Sequence, residues 1–206
     1  MVVIDATMLM LLFRSDVPAR INDSKGKPID HVKDRLDYLI KTLDGIKSKI
    51  VIPTPVLGEL LVRATAQETQ EILDEINRLA VFRIEPFETR AAIELAVMTR
   101  SALAGGDKKA GSEAPWAKVK FDRQIVAIAR VVQASAIYTD DENLTATAGL
   151  VNIPTFGLGD LQLPPETAQG VLPFERKGID AIDEIAQQTE TLQEPEVPDG
   201  TAPTGG

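Results

Sequence analysis

The sequence predicts an α/β fold, a three-layer sandwich in which a central parallel sheet of four to five strands carries helices on both faces. Three observations predict it. Short β-branched runs alternate along the chain with segments of helical periodicity. The strand runs, such as Val2-Val3-Ile4 and Ile50-Val51-Ile52, are apolar at every position, the pattern of strands covered on both faces. Apolar residues make up 44% of the chain, enough to build a core of ordinary size.

Met1 to Phe13 is one apolar stretch and reads as a buried first strand. It does not read as a secretion signal, because Asp5 interrupts it and it has neither a basic leader nor a small-residue cleavage site. Between Asp30 and Lys47, Leu36, Leu39, Ile40 and Leu43 fall at i, i+3, i+4 and i+7, one face of a helix. Ile50-Val51-Ile52 is a second strand. Thr54-Pro55 then reads as an N-cap with proline at the first helical position, opening a helix with Leu57, Leu60, Leu61 and Ala64 on one face. Residues 68–79 form another helix, Val81 to Ile84 a third strand, and Glu88 to Leu103 a long alanine-rich helix. Ala104 to Lys118, with three glycines and Pro115, reads as a loop. A helix over Phe121 to Gln133, a fourth strand over Ala136 to Thr139, a short helix around Leu144 to Ala148 and a fifth strand within Val151 to Phe156 complete the alternation. The sequence thus divides into a domain over residues 1–163 and an acidic, Pro-containing tail over 164–206, partly disordered. Gly178 to Leu192 reads as a weakly amphipathic helix within that tail.

Composition removes several chemistries. No cysteine is present, so disulfides, thiolate nucleophiles and zinc–thiolate sites are excluded. The only histidine is His31, in a polar neighbourhood, where it reads as an ordinary surface side chain. No run of eighteen apolar residues exists to span a membrane, and the chain is expected in the cytoplasm. The net charge is −9, unfavourable at first sight for contact with phosphate backbones. The charge is uneven: from Glu166 onward nine acidic residues face only Arg176 and Lys177, leaving about −2 for residues 1–165.

Any chemistry must then come from carboxylates. In an open parallel sheet, function gathers at the carboxyl ends of strands. Asp5 follows the apolar run of the first strand, and Asp140 and Asp141 follow the fourth. Glu59 lies in the first turns of the helix after the second strand, and Asp122 shares the inward stripe of Ile125 and Ala129. Two carboxylates 4 Å apart repel by about 4 kcal/mol at an effective dielectric near 20. A cluster of them must raise its pKa values or hold a cation, and all-oxygen ligation selects Mg²⁺ or Mn²⁺. Plainer readings stand beside this one. Asp5 can end a strand, Glu59 can pair with Arg63, Asp122 can cap a helix, and Asp140 and Asp141 can be turn residues.

Val3-Ile4-Asp5-Ala6-Thr7, Ile52-Pro53-Thr54-Pro55-Val56-Leu57-Gly58-Glu59-Leu60, Phe121-Asp122-Arg123-Gln124-Ile125 and Tyr138-Thr139-Asp140-Asp141-Glu142-Asn143 resemble, in order, the four motifs of the PIN-domain family. That family includes VapC-type toxins and other metal-dependent ribonucleases, and the resemblance covers roughly residues 1–157. It implies an acidic quartet of Asp5, Glu59, Asp122 and Asp141, with Asp140 adjacent as a second-metal or supporting ligand. Thr7 and Thr139 would orient carboxylates. The implied activity is hydrolysis of RNA by one or two Mg²⁺ or Mn²⁺ ions, with an antitoxin-like protein partner and a homodimer as further expectations. Arg14, Lys108, Lys109, Lys118, Lys120 and Arg123 are the candidate substrate cations, and Trp116 a candidate stacking surface. The Lys-rich loop reads equally as a solvated linker, and Gly105-Gly106 as the hinge of a lid. The long stretch between the first two motifs, that Gly/Lys loop and the acidic tail depart from the compact toxins.

Two other readings compete. A PIN-like module can bind RNA or a protein without cutting. Haloacid-type phosphatases begin with Asp-x-Asp after strand one, whereas Asp5-Ala6-Thr7 lacks the second aspartate, and no Walker loop is present.

Overall fold

The structure is a computed structural model that describes residues 1–14, 21–22 and 26–165. Five parallel strands form its sheet: β1 (Val2–Ile4), β4 (Ile50–Pro53), β5 (Phe82–Glu85), β6 (Ile137–Tyr138) and β7 (Thr155–Phe156), in the spatial order β5-β4-β1-β6-β7. β2 (Ile21–Asn22) and β3 (Pro28–Ile29) make a small antiparallel pair that the sequence reading missed. The helices are α1 (Ala6–Phe13), α2 (Val32–Gly45), α3 (Thr54–Leu61), α4 (Ala66–Arg78), α5 (Thr89–Ala104), α6 (Trp116–Val131) and α7 (Glu142–Gly149). No helix among the described residues is long and apolar enough to cross a membrane.

The β-branched runs form strands because both faces are covered. Val3, Ile4, Val51, Ile52 and Ile137 are at most 1% exposed, and burying each such side chain is worth about 1.5–3 kcal/mol. The chain leaves β1 toward β4 and β5, then returns to the other side of β1 for β6 and β7. That reversal opens a crevice at the carboxyl ends of β1 and β6. Register fixes what meets there, since Ile4 pairs with Tyr138, setting Asp5 beside Thr139.

Three local expectations need correction. Met1 to Phe13 is not one strand: β1 ends at Ile4, and the Asp5 carboxylate accepts the Met8 N–H at 2.9 Å and caps α1. A segment apolar all round suits a buried helix as well as a buried strand, and the capping aspartate decides between them. Thr54 does not cap α3. Pro53 holds that position, and the Thr54 hydroxyl accepts the Phe87 N–H at 3.1 Å across the sheet edge. Helix α6 begins at Trp116 behind Pro115, five residues earlier than the apolar stripe indicates, so the loop closes at Pro115. The tail expected from residue 164 lies, from Glu166 onward and with its amphipathic segment, outside the described residues.

Candidate functional site

Asp5, at the end of β1, is 4% exposed, and Asp122, in the second turn of α6, is fully buried. Asp141 caps α7, its Oδ1 accepting the N–H groups of Asn143 at 2.8 Å and Leu144 at 3.1 Å. Thr139 ties the first acid to the last. Its hydroxyl donates to Asp5 Oδ2 at 2.5 Å and accepts the Asp141 N–H at 3.0 Å. A hydroxyl has one proton, so with the amide donating into it that proton is directed at Asp5.

The electrostatics follow from this crowding. Burial raises the Asp5 carboxyl to about 6, against the hydrogen bonds from Met8 and Thr139, and the charges of Asp140 and Asp141 add to the rise. Asp122 is also raised, first by burial and then by the charges of Asp141 and Glu59, which outweigh the hydrogen bond from Lys118. Asp141 runs the other way. Burial pushes it up, but Lys118 and the α7 amides hold it below the ordinary carboxylate value.

Lys118 completes the centre. Its Nζ lies 2.6 Å from Asp122 Oδ1 and 2.7 Å from Asp141 Oδ2, bridging two elements. Asp122 Oδ2 is left without any hydrogen-bond partner, the one such buried side-chain atom among the described residues. A buried carboxylate oxygen left bare costs free energy unless a cation or proton meets it.

No protein-family profile and no curated protein matches the chain. Among solved structures, the fold matches that of FitAB bound to an IR36 DNA fragment, with a TM-score of 0.51 and 16% identity over 79% of this chain and 98% of that one. VapBC2 from Rickettsia felis, bound to a DNA fragment from its promoter, matches with a TM-score of 0.50 and 14% identity over 76% and 97% of the two chains. This chain has a PIN-like fold.

Within the PIN-like frame the expected residues separate. Asp5, Thr139, Asp141 and Asp122 converge at one edge of the sheet, linked through Thr139 and Lys118. Glu59 is exposed on α3, close enough for its charge to act on Asp122. Asp140 turns toward β7, its oxygens 3.1 and 3.3 Å from the Leu158 N–H. Gly157 makes room for it, since a Cβ there would stand 2.4 Å from Asp140 Oδ1. Thr7 is exposed and orients no carboxylate among the described residues. Among those residues, no three acidic or imidazole side chains approach closely enough to enclose a metal ion by themselves. His31 is a surface residue whose Nδ1 lies 3.0 Å from Asp34.

The substrate cations need correction. Arg123 is 1% exposed, and its guanidinium donates to Thr99 Oγ1 at 3.1 Å and to the Lys108 carbonyl at 2.7 Å. It fastens the loop between α5 and α6 and is shielded from any ligand at the surface. Trp116 is half-buried, with the Arg123 guanidinium 5.5 Å and Lys108 Nζ 5.1 Å from its ring, so cations already engage its ring. The loop is no slack linker. Asp107 accepts the N–H groups of Lys109 and Gly111, and Ser112 reaches Asn143 on α7 at 3.1 Å. Arg14 lies at the far end of α1 from Asp5, lining a cavity with Glu68, Glu71 and Glu75. Lys120 is exposed on α6. The sequence alone offers Lys118 only as one cation among several. Its place four residues before Asp122 is the helical signal that singles it out once α6 begins at Trp116.

Proposed function

We propose that the chain is a Mg²⁺- or Mn²⁺-dependent ribonuclease. The observation that carries this reading is the bare, fully buried oxygen of Asp122, whose carboxyl shares Lys118 with Asp141. The donor set fits a hard cation, being all oxygen, and Mg²⁺ is commonly held by one or two carboxylates with waters filling its remaining positions. Asp122 and Asp141 would hold the ion, with Asp5 completing the acidic wall; when bound, the ion supplies Lewis acidity to the phosphodiester and to the attacking water. Thr139 orients Asp5 and fixes its distance from Asp141. Glu59, exposed at the rim, accepts a proton from water. Lys120, exposed on α6, offers a charge to the phosphate backbone.

The likeness to FitAB and VapBC2 supports a two-component setting, with this chain as the toxin-like partner of an antitoxin-like protein. A second reading, a module that binds RNA or protein without cutting, draws on Lys118, which already bridges two of the acids.

Cleavage of structured and single-stranded RNAs with Mn²⁺ or Mg²⁺ tests the first reading, comparing wild type, Asp5→Asn and an EDTA control. Cutting that needs metal and is lost in Asp5→Asn is the expected result. No cutting, together with no metal uptake by calorimetry, would leave the non-catalytic module.

A further inference from the structure

We propose that Lys118 is an internal counter-cation of the acidic centre, occupying the place between Asp122 and Asp141 that a divalent ion takes over. The inference rests on the ribonuclease reading for the identity of that ion. It starts from one nitrogen in direct contact with two carboxylates from different elements, Asp122 on α6 and Asp141 at the cap of α7. An exposed lysine pair gains little and costs side-chain freedom, but here one partner is fully buried. Burial disfavours the lysine's charge, yet the hydrogen bonds and charges of the two aspartates keep its pKa above the ordinary value. Without a cation there, Asp122 and Asp141 face each other as like charges inside a shielded crevice.

The compensation is incomplete. Lys118 contacts Asp122 Oδ1 only, while Asp122 Oδ2 has no partner. Two acids, Asp122 and Asp141, share one ammonium, and the charge of Glu59 also acts on Asp122. A divalent ion brings twice the charge to the same oxygens, and it cannot share them with the ammonium at hydrogen-bond distance. Ion and lysine therefore compete. The side chain can withdraw, since it remains 38% exposed and reaches inward along a flexible stem. Metal-free protein is thereby held together without metal, and the lysine sets the concentration at which metal enters.

The test uses the full chain as Lys118→Met, which keeps the stem and removes the charge. Lys41→Met, exposed on α2, makes the same change in net charge elsewhere. Calorimetric titration with Mn²⁺ should show Lys118→Met binding about tenfold tighter than wild type, within the usual range of coupling between two ligands, with Lys41→Met unchanged. Metal-free Lys118→Met should melt on the order of 5 °C lower and recover more than wild type on saturation with Mn²⁺. Should Lys118→Met fail to fold, Lys118→Gln carries the same comparison. Equal or weaker Mn²⁺ binding by the variant overturns the exchange and leaves the ribonuclease reading standing. Absence of Mn²⁺ binding in wild type and variant alike overturns both.

Discussion

Asp122 and Arg123 are neighbours on α6, oppositely charged and both buried, yet their surroundings differ in kind. Arg123 is surrounded by satisfied contacts, namely the Thr99 hydroxyl, the Lys108 carbonyl and the Trp116 ring. Its charge is used up in holding the loop to α5. Asp122 has one oxygen on Lys118 and one on nothing. A buried charge with complete partners is scaffolding. One held with an open position, among like charges, keeps capacity for something else, at a cost in stability.

Exchanging the two charges for neutral side chains should separate these roles. Outer-shell losses at metal sites alone are worth about 10- to 100-fold, so Asp122→Asn should lower Mn²⁺-dependent RNA cleavage about a hundredfold or more. The same change should leave metal-free melting unchanged or raised, because burial and the charges of Asp141 and Glu59 already disfavour the ionised form. Arg123→Met should do the reverse. Chemical denaturation should show a loss of about 3 kcal/mol, while calorimetry finds Mn²⁺ affinity unaltered. Equal activity loss in both variants would collapse the distinction.

Acidity offers the next separation. The folded protein holds the Asp5 proton up to about pH 6, against an unfolded value of 3.8. Between those values the native state binds more protons than the unfolded chain, so stability falls as pH rises through the window. The fall is about 3 kcal/mol and levels off above pH 6. It should vanish in Asp5→Asn, measured as the difference between wild-type and variant denaturation curves across pH 4–8. A smaller effect is expected at Thr139→Val. It deprives Asp5 Oδ2 and the Asp141 N–H of a partner at about 1–3 kcal/mol and moves the pH window upward, because the lost hydrogen bond was holding the Asp5 pKa down.

Much of this architecture is legible in the sequence. Ile50-Val51-Ile52 reads correctly as a strand because its β-branched apolar run is short and stops at Pro53, and Val81 to Ile84 lies within one residue of β5 because it too is short and closed by a proline, Pro86. Asp5 and Asp141 were placed at strand ends by the same logic, and register then made them meet. What escaped has identifiable causes. Met8 to Phe13 is apolar on all sides, so periodicity is silent and only the capping role of Asp5 reveals α1. Trp116 to Lys120 follows a glycine-rich stretch and mixes charge with apolar residues, which hides the true start of α6. With that start misplaced, the i, i+4 relation of Lys118 to Asp122 had no helix to sit on. Arg123 was misread because a sequence shows charge without showing burial. The bare oxygen of Asp122 is a property of packing among α3, α6 and α7, and no local pattern encodes it.

The hydrogen bond from Thr139 to Asp5 joins residues 134 positions apart, the first strand of the sheet to one of its last. A ribosome extending the chain at about 5–20 residues per second makes Asp5 on the order of ten seconds before Thr139. During that interval the amino-terminal acids have neither their tether nor the cap of α7, and Asp122 is itself a late arrival. If the centre cuts RNA, a nascent chain therefore gains that activity only when nearly the whole domain has been made.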